Sequence, residues 1–187
     1  GIPFGILAYL SRPAKSSIFA FVNTVQTIPS LALFGILIAP LSFISQQSAF
    51  LRSIGIRGVG SAPAIFALTL YALLPITRNT YTSLKNLSPD LLEAGTGMGM
   101  NRIQRMRKIE FPLSIPIIFS GIRTSLVQVI GNTTIAALIG AGGFGFFVFQ
   151  GFGQGAPDLI MLGAIPVIIL AIVFDRTMHI IIKMITP

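Results

Sequence analysis

Charge is missing from this sequence over lengths that suit the interior of a membrane. Ile18 to Ala39, Val59 to Thr77 and Leu159 to Phe174 carry no Asp, Glu, Lys or Arg, and Phe111 to Ile139 carries only Arg123. A helix that crosses the hydrocarbon layer needs about 20 mainly apolar residues. Gly1 to Leu10 is apolar too, but supplies only about 15 Å of helix. It lacks the basic start and cleavage site of a signal peptide, and is expected to be the second half of a span. Charged residues make up 10% of the chain, against roughly 25% in soluble domains. The prediction is an all-α membrane protein forming a single domain over 1–187. It has five spans, the first incomplete, at about 1–11, 18–39, 59–77, 112–139 and 157–175.

Several chemistries are excluded at once. The sequence has no Cys and one His, so disulfides, thiol catalysis and multi-histidine metal sites are out. The acids are Asp90, Glu93, Glu110, Asp158 and Asp175, all expected in loops or at span ends, which leaves no intramembrane catalytic dyad. A net charge of +8 would suggest nucleic acid in a soluble protein, but here it orients the spans. Five spans gather Arg12, Lys15, Arg78, Lys85, Arg102, Arg105, Arg107, Lys108, Arg176 and Lys183 on one side, and only Arg52 and Arg57 on the other. Basic residues accumulate in cytoplasmic loops. The Asn79–Glu110 loop and the C-terminus are therefore expected in the cytoplasm, and the 40–58 and 140–158 loops outside. Arg123 is expected to snorkel to the cytoplasmic interface, and His179 to fill space in a C-terminal tail.

The long cytoplasmic loop has local signals of its own. Ser88 can cap a helix that Pro89 opens and whose dipole Asp90 complements. Glycines at 95, 97 and 99 should end it in a tight turn. Asn101 can then cap a second helix to about Ile109, before Pro112 opens the next span. The spacing predicts a helix–turn–helix over about 88–111, with a turn bare enough for another protein to approach.

Glu93-Ala94-Gly95, three residues, Gly99, nine residues, then Ile109-Glu110-Phe111-Pro112 resembles the EAA motif of binding-protein-dependent ABC importer permeases. Gly95 stands where a second Ala is usual, and Phe111 where Leu is usual. Gln26–Leu33, Tyr71–Tyr81 and Ala136–Gly145 resemble the osmoprotectant branch, which serves importers of glycine betaine, carnitine and choline. The resemblance implies a type I importer transmembrane domain whose hairpin couples to a cytoplasmic ATPase through Glu93, Ala94, Gly95, Gly99, Arg102, Ile109 and Pro112. It implies two ATPase subunits, a second permease chain, identical or not, and an outside substrate-binding protein or fused domain. No Gly-x-x-x-x-Gly-Lys-Ser/Thr occurs, so this chain is expected to hold no cofactor, with ATP and Mg on the partner. The run Arg102, Arg105, Arg107, Lys108 lacks the interleaved aromatics of a nucleic-acid patch. Anionic lipid or the ATPase are the partners expected for it.

Polar residues inside the spans need protein or water to face. Asn23, Thr27 and Ser30 fall at one helical face, as do Ser125, Gln128 and Asn132, with Thr133 beside them. Interhelical packing and a translocation path remain open alternatives for both stripes. Gly140-Ala-Gly-Gly-Phe-Gly145 has the G-x-G-x-x-G form, but a span precedes it rather than a strand, so a flexible outer loop is expected. Pro29, Pro75, Pro116 and Pro166 should kink their spans. A passive channel would explain the polar stripes but not the hairpin.

Overall fold

A computed structural model of the chain describes residues 1–47, 50 and 58–185. The expected outer-side cations Arg52 and Arg57 lie outside those residues. Most of the described residues are helical, and no strand occurs among them. In chain order the helices are α1 (Ile2–Leu10), α2 (Arg12–Thr27), α3 (Ser30–Gln47), α4 (Ser61–Lys85), α5 (Pro89–Gly97), α6 (Arg102–Arg105), α7 (Phe111–Ala136), α8 (Gly145–Gln154) and α9 (Pro157–Ile185). A π-helical turn, Met106–Glu110, joins α6 to α7, and a 3-10 turn, Ala137–Ile139, follows α7. Among the described residues, four helical stretches are long and apolar enough to cross a membrane: Ser30–Gln47, Ser61–Lys85, Arg102–Ile139 and Pro157–Ile185.

The span expected over 18–39 is not one helix. It divides at Ile28-Pro29, because proline has no N–H to donate and pushes the preceding residue out of the helical region. Ile28 is extended, with φ −71° and ψ 126°. The break leaves the Ile28 carbonyl without a helical donor, and the buried Tyr71 hydroxyl of α4 donates to it. Val25, Leu33, Phe34, Ala64, Ala67, Tyr71 and Ala136 form the core around this point, so the bend is fixed by α4 and the end of α7. Tyr71→Phe is expected to lower thermal stability in detergent by about 1–3 kcal/mol, the cost of an unpaired buried carbonyl. An unchanged melting temperature would show that the bend does not depend on this bond.

The other prolines behave differently. Pro75, Pro116 and Pro166 lie inside helices that continue past them. α7 crosses α4 closely at Gly121, where a Cβ would meet the Asn79 Cβ at 2.8 Å and the Pro75 oxygen at 3.0 Å. The near atoms include backbone, which yields little, so Gly121→Leu is expected to cost about 1–3 kcal/mol by overpacking. Its signature would be a lower yield of folded protein in size-exclusion chromatography.

Helices also outrun the spans read from hydropathy. α3 continues to Gln47, α4 to Lys85 and α9 to Ile185. A helix satisfies its own backbone in lipid and in water alike, so the membrane boundary does not end it. Asp175 and His179 therefore lie within α9 rather than at a span end or in a tail. The 140–158 region is not all loop: Gly140, Gly142 and Gly143 take positive φ (79°, 75° and 78°) in a reversal, and α8 follows, packed on α9.

Candidate functional site: the α5–α6 hairpin

Pro89 opens α5, Asp90 lies in its first turn and Ser88 occupies the N-cap position. The Ser88 hydroxyl makes no backbone cap; it donates to Asp90 Oδ2 at 3.4 Å. Gly95 and Gly97 remain helical, and Gly99 ends the helix with φ +76°. The Met100 amide donates to the Gly95 carbonyl at 3.2 Å, and the Gly99 amide to Thr96 at 2.9 Å. This pair of bonds is a Schellman closure, which needs a left-handed residue at Gly99. Asn101 then caps the next helix through a reciprocal box: Gln104 N–H donates to Asn101 Oδ1, and Asn101 N–H to Gln104 Oε1, both at 2.9 Å.

The hairpin's two arms are locked by Arg105. Its Nε donates to Glu110 Oε1 at 2.7 Å, and its Nη1 to the Thr96 hydroxyl of α5 at 3.0 Å. Glu110 is only 1% exposed, and the Tyr9 hydroxyl of α1 is its other polar neighbour. Gly95 sits flat against this clamp: a Cβ there would lie 2.8 Å from Ile109 Cδ1 and 3.4 Å from Arg105 Cγ. Arg102 Nη2 donates to the Leu10 carbonyl at 3.4 Å, which ties the hairpin to the end of α1.

Pro112 stands in the first turn of α7, as expected, but no break in the helical course precedes it. The chain runs helically from Arg102 to Ala136, passing through the π-turn, in which Phe111 N–H donates to the Met106 carbonyl. The π-turn places its wider register just before a residue that cannot donate. The second arm of the hairpin and the membrane helix α7 are thus one rod. The outer surface of the hairpin exposes Glu93 and Ala94 together with Leu91 (44%), Met98 (67%) and Ile103 (67%). A recess of about 350 Å³ opens between its arms, lined by Leu92, Glu93, Thr96, Gly97 and Arg105. Leu91, Met98 and Ile103 thus leave apolar area uncovered beside the bare turn.

The polar stripes fare unequally. Asn23 and Thr27 lie exposed on α2, but Ser30 begins α3 beyond the Pro29 break, so the three do not share one helix face. Ser125 is buried and donates to the Ala72 carbonyl at 3.1 Å, an interhelical contact. Thr133 bonds back to Val129 at 2.7 Å and lines a largely apolar cavity of about 160 Å³ under the glycine reversal. Asn132 is half-buried. Gln128 lines a larger cavity, about 510 Å³, formed by α7 and α9. Arg123 lines the same cavity and pairs across to α9. Its guanidinium forks onto Asp175, Nε to Oδ1 at 2.6 Å and Nη2 to Oδ2 at 2.7 Å.

Sequence reasoning missed the Arg105 clamp and the Arg123–Asp175 pair. The first had a weak signal, opposite charges five residues apart. The second joins positions 52 residues apart, for which a single sequence offers none.

Long apolar helices with a capped hairpin projecting from one of them define an all-helical membrane protein. The chain belongs to the binding-protein-dependent transport system inner membrane component family, whose model matches residues 1–187. It is 41% identical over 186 residues to the glycine betaine/carnitine/choline transport system permease protein OpuCB of Bacillus subtilis, covering 100% of this chain and 78% of that protein. It is 40% identical over 187 residues to the osmoprotectant import permease protein OsmW of Salmonella typhimurium, covering 100% and 82%. Its fold matches a chain of the inward-facing MetNI methionine ABC transporter with a TM-score of 0.82 and 25% identity, covering 99% of this chain and 85% of that one. The chain is therefore an integral membrane permease of the ABC importer class, which works with ATPase and substrate-binding partners.

Proposed function

We propose that this permease carries quaternary-amine osmoprotectants of the glycine betaine, carnitine and choline class inward by alternating access. Identity near 40% across the whole chain to permeases named for those solutes carries the reading. The 25% likeness to a methionine transporter is weaker support for an amino acid as substrate. The α5–α6 hairpin docks in the cytoplasmic ATPase, with Glu93, Ala94, Gly99 and the exposed apolar side chains at the contact. Two permease chains enclose one path, and two ATPase subunits bind the ATP and Mg. Gln128 and Asn132 of α7 and Asn23 and Thr27 of α2 line the path as neutral dipoles, which let a solute leave as readily as it enters. The hairpin and C-terminus face the cytoplasm, where Arg107 and Lys108 meet anionic headgroups. A separate or fused outside domain delivers the solute.

Native mass spectrometry of the gently purified complex should give two permease and two ATPase chains. Proteoliposomes should then accumulate labelled glycine betaine or choline only with internal or external ATP on the ATPase side. Uptake independent of ATP would make the protein a passive facilitator, and ATP-driven uptake of an amino acid alone would overturn the substrate class.

A further inference from the structure

The Arg123–Asp175 pair joins α7 to α9, outside the α5–α6 hairpin. At about 1.5 Å per residue, Arg123 lies about 18 Å along α7 from Phe111, and Asp175 about 27 Å along α9 from Pro157. Both belong to stretches apolar enough to cross a membrane. Each side chain nevertheless keeps about a third of its surface open, 34% for Arg123 and 33% for Asp175. They open into the 510 Å³ cavity, whose remaining lining is Ser120, Thr124, Val127 and Gln128. An open ion pair facing acyl chains is costly, so such a pair borders water or protein. Ser120, Thr124 and the Gln128 amide supply polar groups on this face beside the apolar Val127.

We propose that Arg123 and Asp175 form an exchange site for a zwitterionic solute in transit. The quaternary ammonium takes the Asp175 carboxylate while the solute's own carboxylate takes the Arg123 guanidinium, which reads carboxylates in a planar fork. Ser120, Thr124 and Gln128 solvate the recess during the exchange. One ion pair opens and two form, all of them partly hydrated, so the net affinity stays low and the solute moves on. A cation without a carboxylate, such as choline, engages Asp175 alone. Arg123 is then a selectivity residue, and Asp175 serves both solutes. The inference rests on the quaternary-amine reading above and adds a site to it.

The test measures initial uptake of labelled glycine betaine and choline by the complete transporter in proteoliposomes, for wild type, R123Q, R123K and D175N. Co-purification of the ATPase reports assembly of each variant. R123Q should lower glycine betaine kcat/KM relative to that of choline by about tenfold, the loss expected for one hydrogen bond to a charged group. R123K keeps the charge without the fork and should shift the ratio in the same direction by less, which provides the reading if R123Q fails to assemble. D175N should lower both solutes. A pair that only braces α7 against α9 would lower both solutes equally in every variant, and an unchanged ratio in an assembled Arg123 variant overturns the exchange site. Wild-type protein that moves neither solute under ATP overturns the substrate class instead.

Discussion

Gly99→Glu is expected to abolish ATP-driven uptake while leaving the protein in the membrane. Gly99 occupies the left-handed position that closes α5, and its neighbourhood is open, with nothing within 4 Å of an added Cβ. The fold therefore loses only the strain of a side chain at positive φ, about 1–2 kcal/mol. The docking surface loses much more, because a carboxylate then stands out from the turn beside exposed Met98 and Ile103. Gly99→Ala separates the two effects. It bears the same backbone strain with almost no bulk, and should retain most uptake and ATPase binding. Co-purification of the ATPase with each variant checks this. Normal uptake by Gly99→Glu would show that no partner approaches the turn.

Arg105→Ala is expected to have the largest effect on stability. It leaves the Glu110 carboxylate, 1% exposed, without its counter-charge. Breaking a buried pair from one side costs about 3–5 kcal/mol, and the low end fits here because Arg105 itself is 25% exposed. The same change frees Thr96 and so unlocks the first arm of the hairpin from the α7 rod. Replacing both charges, as in R105M/E110Q, removes the stranded carboxylate and should recover most of the lost melting temperature. It should not recover the coupling of ATP hydrolysis to uptake, since the bridge to Thr96 is still absent. Thermal unfolding in detergent and the ratio of ATP hydrolysed to solute moved give the two readouts. A double variant no more stable than Arg105→Ala would show that the stability of this region does not come from pairing Glu110.

The amino-acid sequence by itself determined the class of fold and the place of the hairpin. Membrane spans are legible because the bilayer tests hydropathy residue by residue, and Val59–Thr77 or Leu159–Phe174 have one reading whatever packs around them. The hairpin is legible because its signals are local: Pro89 at the start of α5, the cap at Asn101, the left-handed glycine and the spacing from Glu93 to Pro112 all act within a turn or two. Even there, only the structure showed that Gly99 rather than Gly95 ends α5, since the hydrogen bonds decide which glycine turns left-handed.

Tertiary structure decided the rest. The division of 18–39 depends on Pro29, which signals a kink, but whether the chain breaks depends on a donor for Ile28, and Tyr71 stands on another helix. The fates of Ser125 and Arg123 were likewise set by neighbours distant in sequence, Ala72 and Asp175. A buried polar group is defined by its partner, and in a helical bundle that partner lies on a different helix. Periodicity shows which residues share a face of one helix and carries no information about the helix opposite it.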